Sequence, residues 1–211
     1  MRGPTDSLTS VPPPPQQSAV APIITLFEAY GAGAEVIGPR LAETLGVPYV
    51  RQVWSSEELE GQANPQEGWI GRFVASLVGP GAAEGALESA EERQQQVRGS
   101  VARVLALKET GAVVLGHNAT VILADHPGAL HVKLDGPAER RVAYAAAATG
   151  IDQAHAARRL AREDRVRAEF SLALYGWDPR TNDRYHLVVN TSLFGVDDAV
   201  RIILAARERV S

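Results

Sequence analysis

The chain has 211 residues, with 45% hydrophobic and 22% charged side chains and a formal net charge of −4, the make-up of a soluble globular protein with one sizeable core. The acidic balance removes the whole-protein positive field that a nucleic-acid binder needs, so no nucleic-acid partner is expected. Cysteine is absent, which excludes disulfides, thiolate catalysis and cysteine-ligated zinc; no run reaches the roughly 18–20 apolar residues of a membrane helix and no apolar leader is present, so the expectation is a cytoplasmic protein with no membrane partner.

Residues 1–21 hold a four-proline run and no hydrophobic periodicity, the pattern of a disordered, Pro-rich tail. From 22 onward strands and helices alternate. PIITLF (22–27) is a short apolar run bounded by a proline and a polar turn, as a buried parallel strand would be. A helix is predicted over 35–46, with Val36, Ile37, Leu41 and Leu45 on one face and Gly46 as its stop. GVPYV (46–50) reads as a second strand, and 55–110 as mostly helical. GAVVLG (111–116) is a clear strand, followed by a helix at 118–125. ALHVKLD (129–135) is another strand. A helix at 137–150 has proline at its start and glycine at its end, the expected asymmetry. An arginine-rich helix spans 152–168 with Asp152 as N-cap, YHLVVNT (185–191) is the last strand, and 195–210 the last helix.

Strands separated by helices imply an α/β fold: a central parallel sheet of about five strands with helices on both faces. In such sheets ligands bind outside the carboxyl ends of the strands, which places 30–34, 116–120, 135–137 and 190–192 on one rim. The segment YGAGAEVIG (30–38) lies between the first strand and the first helix. Gly31 and Gly33 let the backbone approach an anion, and the helix would point its positive end at it. The same pair is also an ordinary strand-to-helix turn. Other constellations fail: the histidines at 117, 126, 131, 155 and 186 show no metal spacing, and no Gly-x-Ser-x-Gly elbow is present. Trp54, Trp69 and Trp177 read as packing residues.

Four segments in the same order resemble the cytidylate kinase-like family of P-loop nucleotide kinases. They are ITLFEAYGAGAEVIGPRLAETLGVPYV, VVLGHNATVILADHPGALHVKLDGPAERRV, RRLAREDRVRAEF and YHLVVNTSLFGVDDAVRII, covering about 22–53 and 111–205. The resemblance implies a P-loop kinase-like three-layer fold in a single domain at 22–211, with a helical monophosphate-binding insert at 54–110 and a lid region at 152–184. It implies transfer of the ATP γ-phosphoryl group to a nucleoside monophosphate such as CMP, with Mg2+, and hence a nucleotide or phosphorylated small molecule as partner; a homodimer stays open.

Carried over residue by residue, the resemblance makes Gly31, Ala32, Gly33, Ala34 and Glu35 the phosphate loop. Glu35 stands where the loop cation belongs, and the magnesium-binding hydroxyl falls at Val36 or Ile37, which have none. A carboxylate there repels phosphate by roughly 1–4 kcal/mol at about 4 Å, though at a helix N-terminus it also complements the macrodipole. Gly116, His117 and Asn118 stand where relatives carry an acceptor-binding arginine, with Asn118 equally able to cap the helix. Arg158, Arg162 and Arg165 share a helix face that could close over phosphates and supply transition-state charge, or be a solvated face paired with Glu163, Asp164 and Glu169. Arg141 is a further phosphate-contact candidate, with a surface role as its alternative. Asn190, Thr191 and Ser192 could touch adenine or start a turn. Two functional readings follow: a nucleotide kinase with an altered loop, and a non-catalytic relative that binds a nucleotide, an anion or a protein partner.

Overall fold

The computed structural model describes residues 21–51, 95, 97–116 and 118–210. These form β1 (Ile23–Glu28), α1 (Ala34–Leu45), β2 (Tyr49–Arg51), a helical segment at 97–106, β3 (Ala112–Leu115), α2 (Ala119–Ile122), β4 (Ala129–Asp135), α3 (Ala138–Thr149), α4 (Gln153–Tyr175), β5 (Leu187–Asn190) and α5 (Val196–Arg207). The five strands make one sheet in the order β2-β3-β1-β4-β5, and every pairing is parallel. The central strand β1 has Thr25 opposite Val114 on one side and His131 on the other. The expected α/β architecture with a central parallel sheet is therefore present.

Both faces of the sheet are covered because its strands are apolar on both faces. Ile24, Leu26, Val132 and Leu134 pack with Ile37 and Leu41 of α1 and with Ala199 and Ile203 of α5. Ile23 and Ala129 point the other way and pack with Val104 and Leu123. The period of two along β1 sends alternate side chains to two helical layers, so a continuous apolar run is what such a strand requires.

Element ends follow backbone chemistry. α1 starts one residue earlier than expected, after Gly33, and stops at Gly46. Gly46 and Val47 turn their N–H groups back onto Glu43 O and Ala42 O, the paired closure of a left-handed helix end. That closure uses residues assigned from sequence to the second strand, so β2 begins only at Tyr49. The helix expected at 118–125 is a single turn, Ala119–Ile122. Pro127 disfavours helical geometry at His126, and Gly128, at φ 77°, carries the chain into β4. α4 runs past the expected end at 168 to Tyr175, because Phe170 and Ser171 continue its buried stripe and no glycine intervenes before Gly176. β3 and β5 are shorter than their apolar runs, though Thr191 N–H still reaches Asp135 O at 3.0 Å. Of the expected helical stretch at 55–110, only 95 and 97–106 are described as helical. The Pro-rich tail, Trp54 and Trp69 lie outside the described residues, and the buried Trp177 packs beside Tyr185.

A polar seam crosses the core at Thr25. Its hydroxyl lies 2.8 Å from His131 Nδ1 and 3.3 Å from Thr120 Oγ1, and the His131 ring stacks on His186 at 4.9 Å. Burial, followed by the neighbouring His186, lowers the His131 pKa from 6.5 to about 4. Protonation therefore favours the unfolded chain, and the stability His131 supports above pH 6.5 is lost as pH falls through about 4. Urea unfolding at pH 7.5 and pH 4 should show a loss of up to about 3 kcal/mol from this group. Most of that loss should vanish in His131→Gln; an equal loss in both proteins would assign the acid sensitivity elsewhere.

Candidate functional site

β1 ends at the carboxyl rim of the sheet, and the chain there makes a tight loop, 28–34, into α1. Gly31 and Gly33 adopt φ of 80° and 83°, the left-handed conformation that glycine takes without penalty. A Cβ on Gly31 would sit 2.4 Å from the backbone oxygen of Arg141. The loop therefore lies directly against α3, and only glycine fits.

The amides of Tyr30, Ala32, Gly33 and Ala34 are engaged within the protein. Ala32 N–H donates to Ala29 O at 3.0 Å, and Tyr30 N–H to Asp164 Oδ1 at 3.0 Å. Gly33 N–H and Ala34 N–H, at the positive end of α1, both donate to Glu28 Oε1, at 3.0 and 3.2 Å. The Glu28 side chain folds back into its own loop and holds the position that an anion takes at a helix N-terminus. The residue as a whole is partly exposed, but its carboxylate is withdrawn from water, and this raises its pKa above 4.5. Arg167 opposes the shift by charge attraction, Glu35 adds to it, and the Ala34 and Gly33 amides oppose it.

α1 opens at Ala34, one residue before Glu35, with Gly33 as its cap. Glu35 is exposed in the first helical turn, and Tyr144 donates its hydroxyl to Glu35 Oε1 at 2.8 Å.

The basic residues divide into two groups. Arg141 is buried rather than on the surface, correcting the alternative given for it above. Its Nη1 donates to Tyr30 O at 2.9 Å and Asp164 Oδ2 at 3.0 Å, and its Nε to Gly136 O at 2.9 Å. Arg167 donates to Glu28 O at 2.7 Å and pairs with buried Glu163 at 3.4 Å. Arg159 and Arg167 lie over the Tyr30 ring at 5.5 and 5.9 Å. Thus Arg159, Glu163, Asp164 and Arg167 are the α4 residues that meet the loop. Arg158 and Arg165 are exposed, and Arg162 is half-buried with Nη2 3.8 Å from Glu163 Oε1. Lys133 is buried on β4 and bonds Arg180 O and Asn182 Oδ1 at 2.8 and 3.1 Å.

At the end of β3, Gly116 is buried and donates to Leu26 O at 3.2 Å; His117 lies outside the described residues. Asn118 occupies the N-cap position of α2, but its side chain makes no cap bond, and its fully buried carboxamide has no hydrogen-bond partner. Sequence reading did not single out Glu28, Tyr30, Asp135 or Tyr144. A signal existed for Glu28: it is the charged residue that closes an apolar strand just before the glycine-rich turn.

Beside the loop lies a cavity of about 400 Å³, floored by Gly31, Ala32 and Gly33 and walled by α3 and residues 191–196. Tyr144 and Phe194 supply aromatic surface, Thr191 and Ser192 hydroxyls, and Arg140 and Glu139 charge. Its size and mixed lining suit a small organic ligand with a ring. A magnesium-bound triphosphate fits poorly: Glu28 holds the two amides at the helix head, and residues 28–34 carry no lysine or arginine. Among the described residues, no group of three or more His, Asp or Glu could hold a metal.

The sheet and loop define an α/β protein of the P-loop kinase-like class. The chain matches the model of the cytidylate kinase-like family over residues 23–193 and belongs to that family. It is similar in structure to an uncharacterized protein from Eubacterium ventriosum, at a TM-score of 0.65 and 15% identity over 89% of this chain and 98% of the other. A gluconokinase from Sinorhizobium meliloti superposes with a TM-score of 0.51 at 16% identity, over 90% and 93%. At these identities the likeness is one of fold. A uronate isomerase of Corynebacterium glutamicum is 36% identical over 99 residues, which is 47% of this chain and 19% of that protein. The chain thus matches about a fifth of that relative's length. No described helix is long and apolar enough to cross a membrane.

Two predictions follow from the loop. Gly31→Ala should destabilise the fold by about 2 kcal/mol or more, whereas Gly150→Ala, equally left-handed but with nothing within 4 Å of a Cβ, should lose only about 1 kcal/mol; equal losses in thermal melts would show that the approach to Arg141 is unimportant. For Glu28, folding favours the neutral acid, so its contribution is present below pH 4.5 and is lost as pH rises through the raised folded value. Glu28→Gln keeps the acceptor oxygen and should melt higher than wild type at pH 7.5, with the difference closing at pH 4. A wild type more stable at pH 7.5 would mean that the Arg167 attraction outweighs burial.

Proposed function

We propose that this chain is a non-catalytic member of the cytidylate kinase-like family that binds the nucleoside part of a nucleotide in the cavity beside the loop. The observation that carries the reading is the cavity itself: about 400 Å³ opening onto Gly31–Gly33, with aromatic and hydroxyl groups on its walls. In an open parallel sheet this rim is where ligands bind. The Tyr144 and Phe194 rings offer stacking surface, and Thr191 and Ser192 offer hydroxyls to a ring edge. Phosphoryl transfer asks chiefly for positive charge and positioning at the transferred group. Here residues 30–36 hold no lysine, arginine, serine or threonine, and Glu28 takes two of the loop amides, which supports binding without turnover.

One observation favours a second reading, ATP-dependent transfer to CMP or a related small acceptor. α4 brings Arg159 and Arg167 close to the loop, with Arg162 beside them against Glu163, where transition-state charge would be met. The names of the relatives, a gluconokinase and a uronate isomerase, add sugar acids to the acceptors worth screening.

Calorimetric titration with adenosine, cytidine, CMP and ATP, with and without Mg2+, separates the two, run beside an ADP-release assay. The binding reading expects saturable nucleoside binding, weakened about tenfold by Phe194→Ala through lost stacking and unchanged by Arg158→Ala, with no acceptor-dependent ADP release. Acceptor-dependent ADP release by wild type that Arg162→Ala abolishes would overturn it in favour of the kinase.

A further inference from the structure

We propose that Glu28 is a built-in phosphate surrogate: its carboxylate occupies the two amides at the head of α1, so the adjoining cavity takes a nucleoside in preference to its di- or triphosphate. The choice of nucleoside as ligand rests on the function proposed above; the occupied loop does not. The geometry is that of an anion site already filled. Both amides meet the same oxygen, Glu28 Oε1, at 3.0 and 3.2 Å. Glu28 has a side chain long enough to fold back onto its own loop, and Arg167 holds its backbone oxygen at 2.7 Å.

The surroundings keep the carboxylate in place and resist a second anion. Arg167 reaches the loop from α4, but it is already engaged by Glu163 and by Glu28 O. Glu35 adds another carboxylate in the first turn of α1. Tyr144 closes over the head of the helix, its hydroxyl 3.3 Å from where a Gly33 Cβ would be and bonded to Glu35. A ligand phosphate must therefore displace Glu28 and accept Glu35 as a neighbour. The loop's affinity for phosphate is its intrinsic affinity multiplied by the fraction of molecules in which Glu28 has vacated it.

Inorganic pyrophosphate is the probe, because it tests the loop without the cavity. Wild type, Glu28→Ala and Glu28→Ser would be titrated calorimetrically at pH 7.5 with pyrophosphate and, separately, with adenosine and ATP. Thermal melts establish that each variant folds, and Glu28→Ser supplies the reading where Glu28→Ala does not melt cooperatively. The expected result is pyrophosphate and ATP binding at least about tenfold tighter in the variants, with adenosine binding unchanged. Folded variants that bind pyrophosphate no better than wild type overturn the proposal, as does wild type binding ATP much more tightly than adenosine. Adenosine bound by none of the three, with the pyrophosphate gain intact, would sink the nucleoside reading and leave Glu28 as the occupant of the loop.

Discussion

The guanidinium of Arg141 is the point on which the site depends. It joins three parts of the chain that are distant in sequence: the turn after β1 through Tyr30 O, the end of β4 through Gly136 O, and α4 through Asp164. Asp164 in turn receives Tyr30 N–H, so one ion pair grips both polar groups of a single loop peptide unit's neighbourhood. Charge-assisted bonds of this kind are the strong ones, and removing one member of a buried pair strands the other. α4 is thereby fastened to the loop by an arginine of α3, and the region resembling a kinase lid is packed in place over residues 28–30.

That fastening accounts for the use of charge around the loop. The arginines nearest to it serve backbone oxygens, the Tyr30 ring and the buried carboxylate of Glu163. They neutralise the protein's own acids. The opposing effects on Glu28 show the balance: loss of water disfavours its charge, Arg167 favours it, and Glu35 disfavours it again, with burial the largest. The loop keeps two left-handed glycines before a helix, while the two amides at the helix head and the nearby cations are committed to internal partners.

Much of the fold was legible in the sequence because parallel strands buried on both faces must be apolar throughout. IITLF, AVVL and ALHVKLD announce themselves for that reason, and Gly46 and Gly150 mark helix ends because left-handed closure favours them, whereas the end of α4 was placed at 168 instead of at Gly176. The lengths of β2 and α2 were misjudged where a helix closure or a proline consumed residues that looked periodic. The site was less legible. Arg141 looks like a surface residue on an amphipathic helix until its partners, 111 and 23 residues away, are brought to it. The arginines of α4 were ranked by spacing along one face, yet the face that meets the loop is set by Glu163 and Asp164. Glu28 becomes visible only once its carboxylate is found on the amides of Gly33 and Ala34.

An internal carboxylate in the loop also changes how the protein answers its surroundings. Where a loop takes its shape from bound phosphate, folding is linked to supply, and a ligand at a hundred times its dissociation constant adds about 2.7 kcal/mol. A loop whose head amides are met by a side chain of the same chain has that partner at a fixed effective concentration. With Glu28 as the stand-in proposed above, the order of residues 28–34 does not rise and fall with the supply of a phosphate ligand.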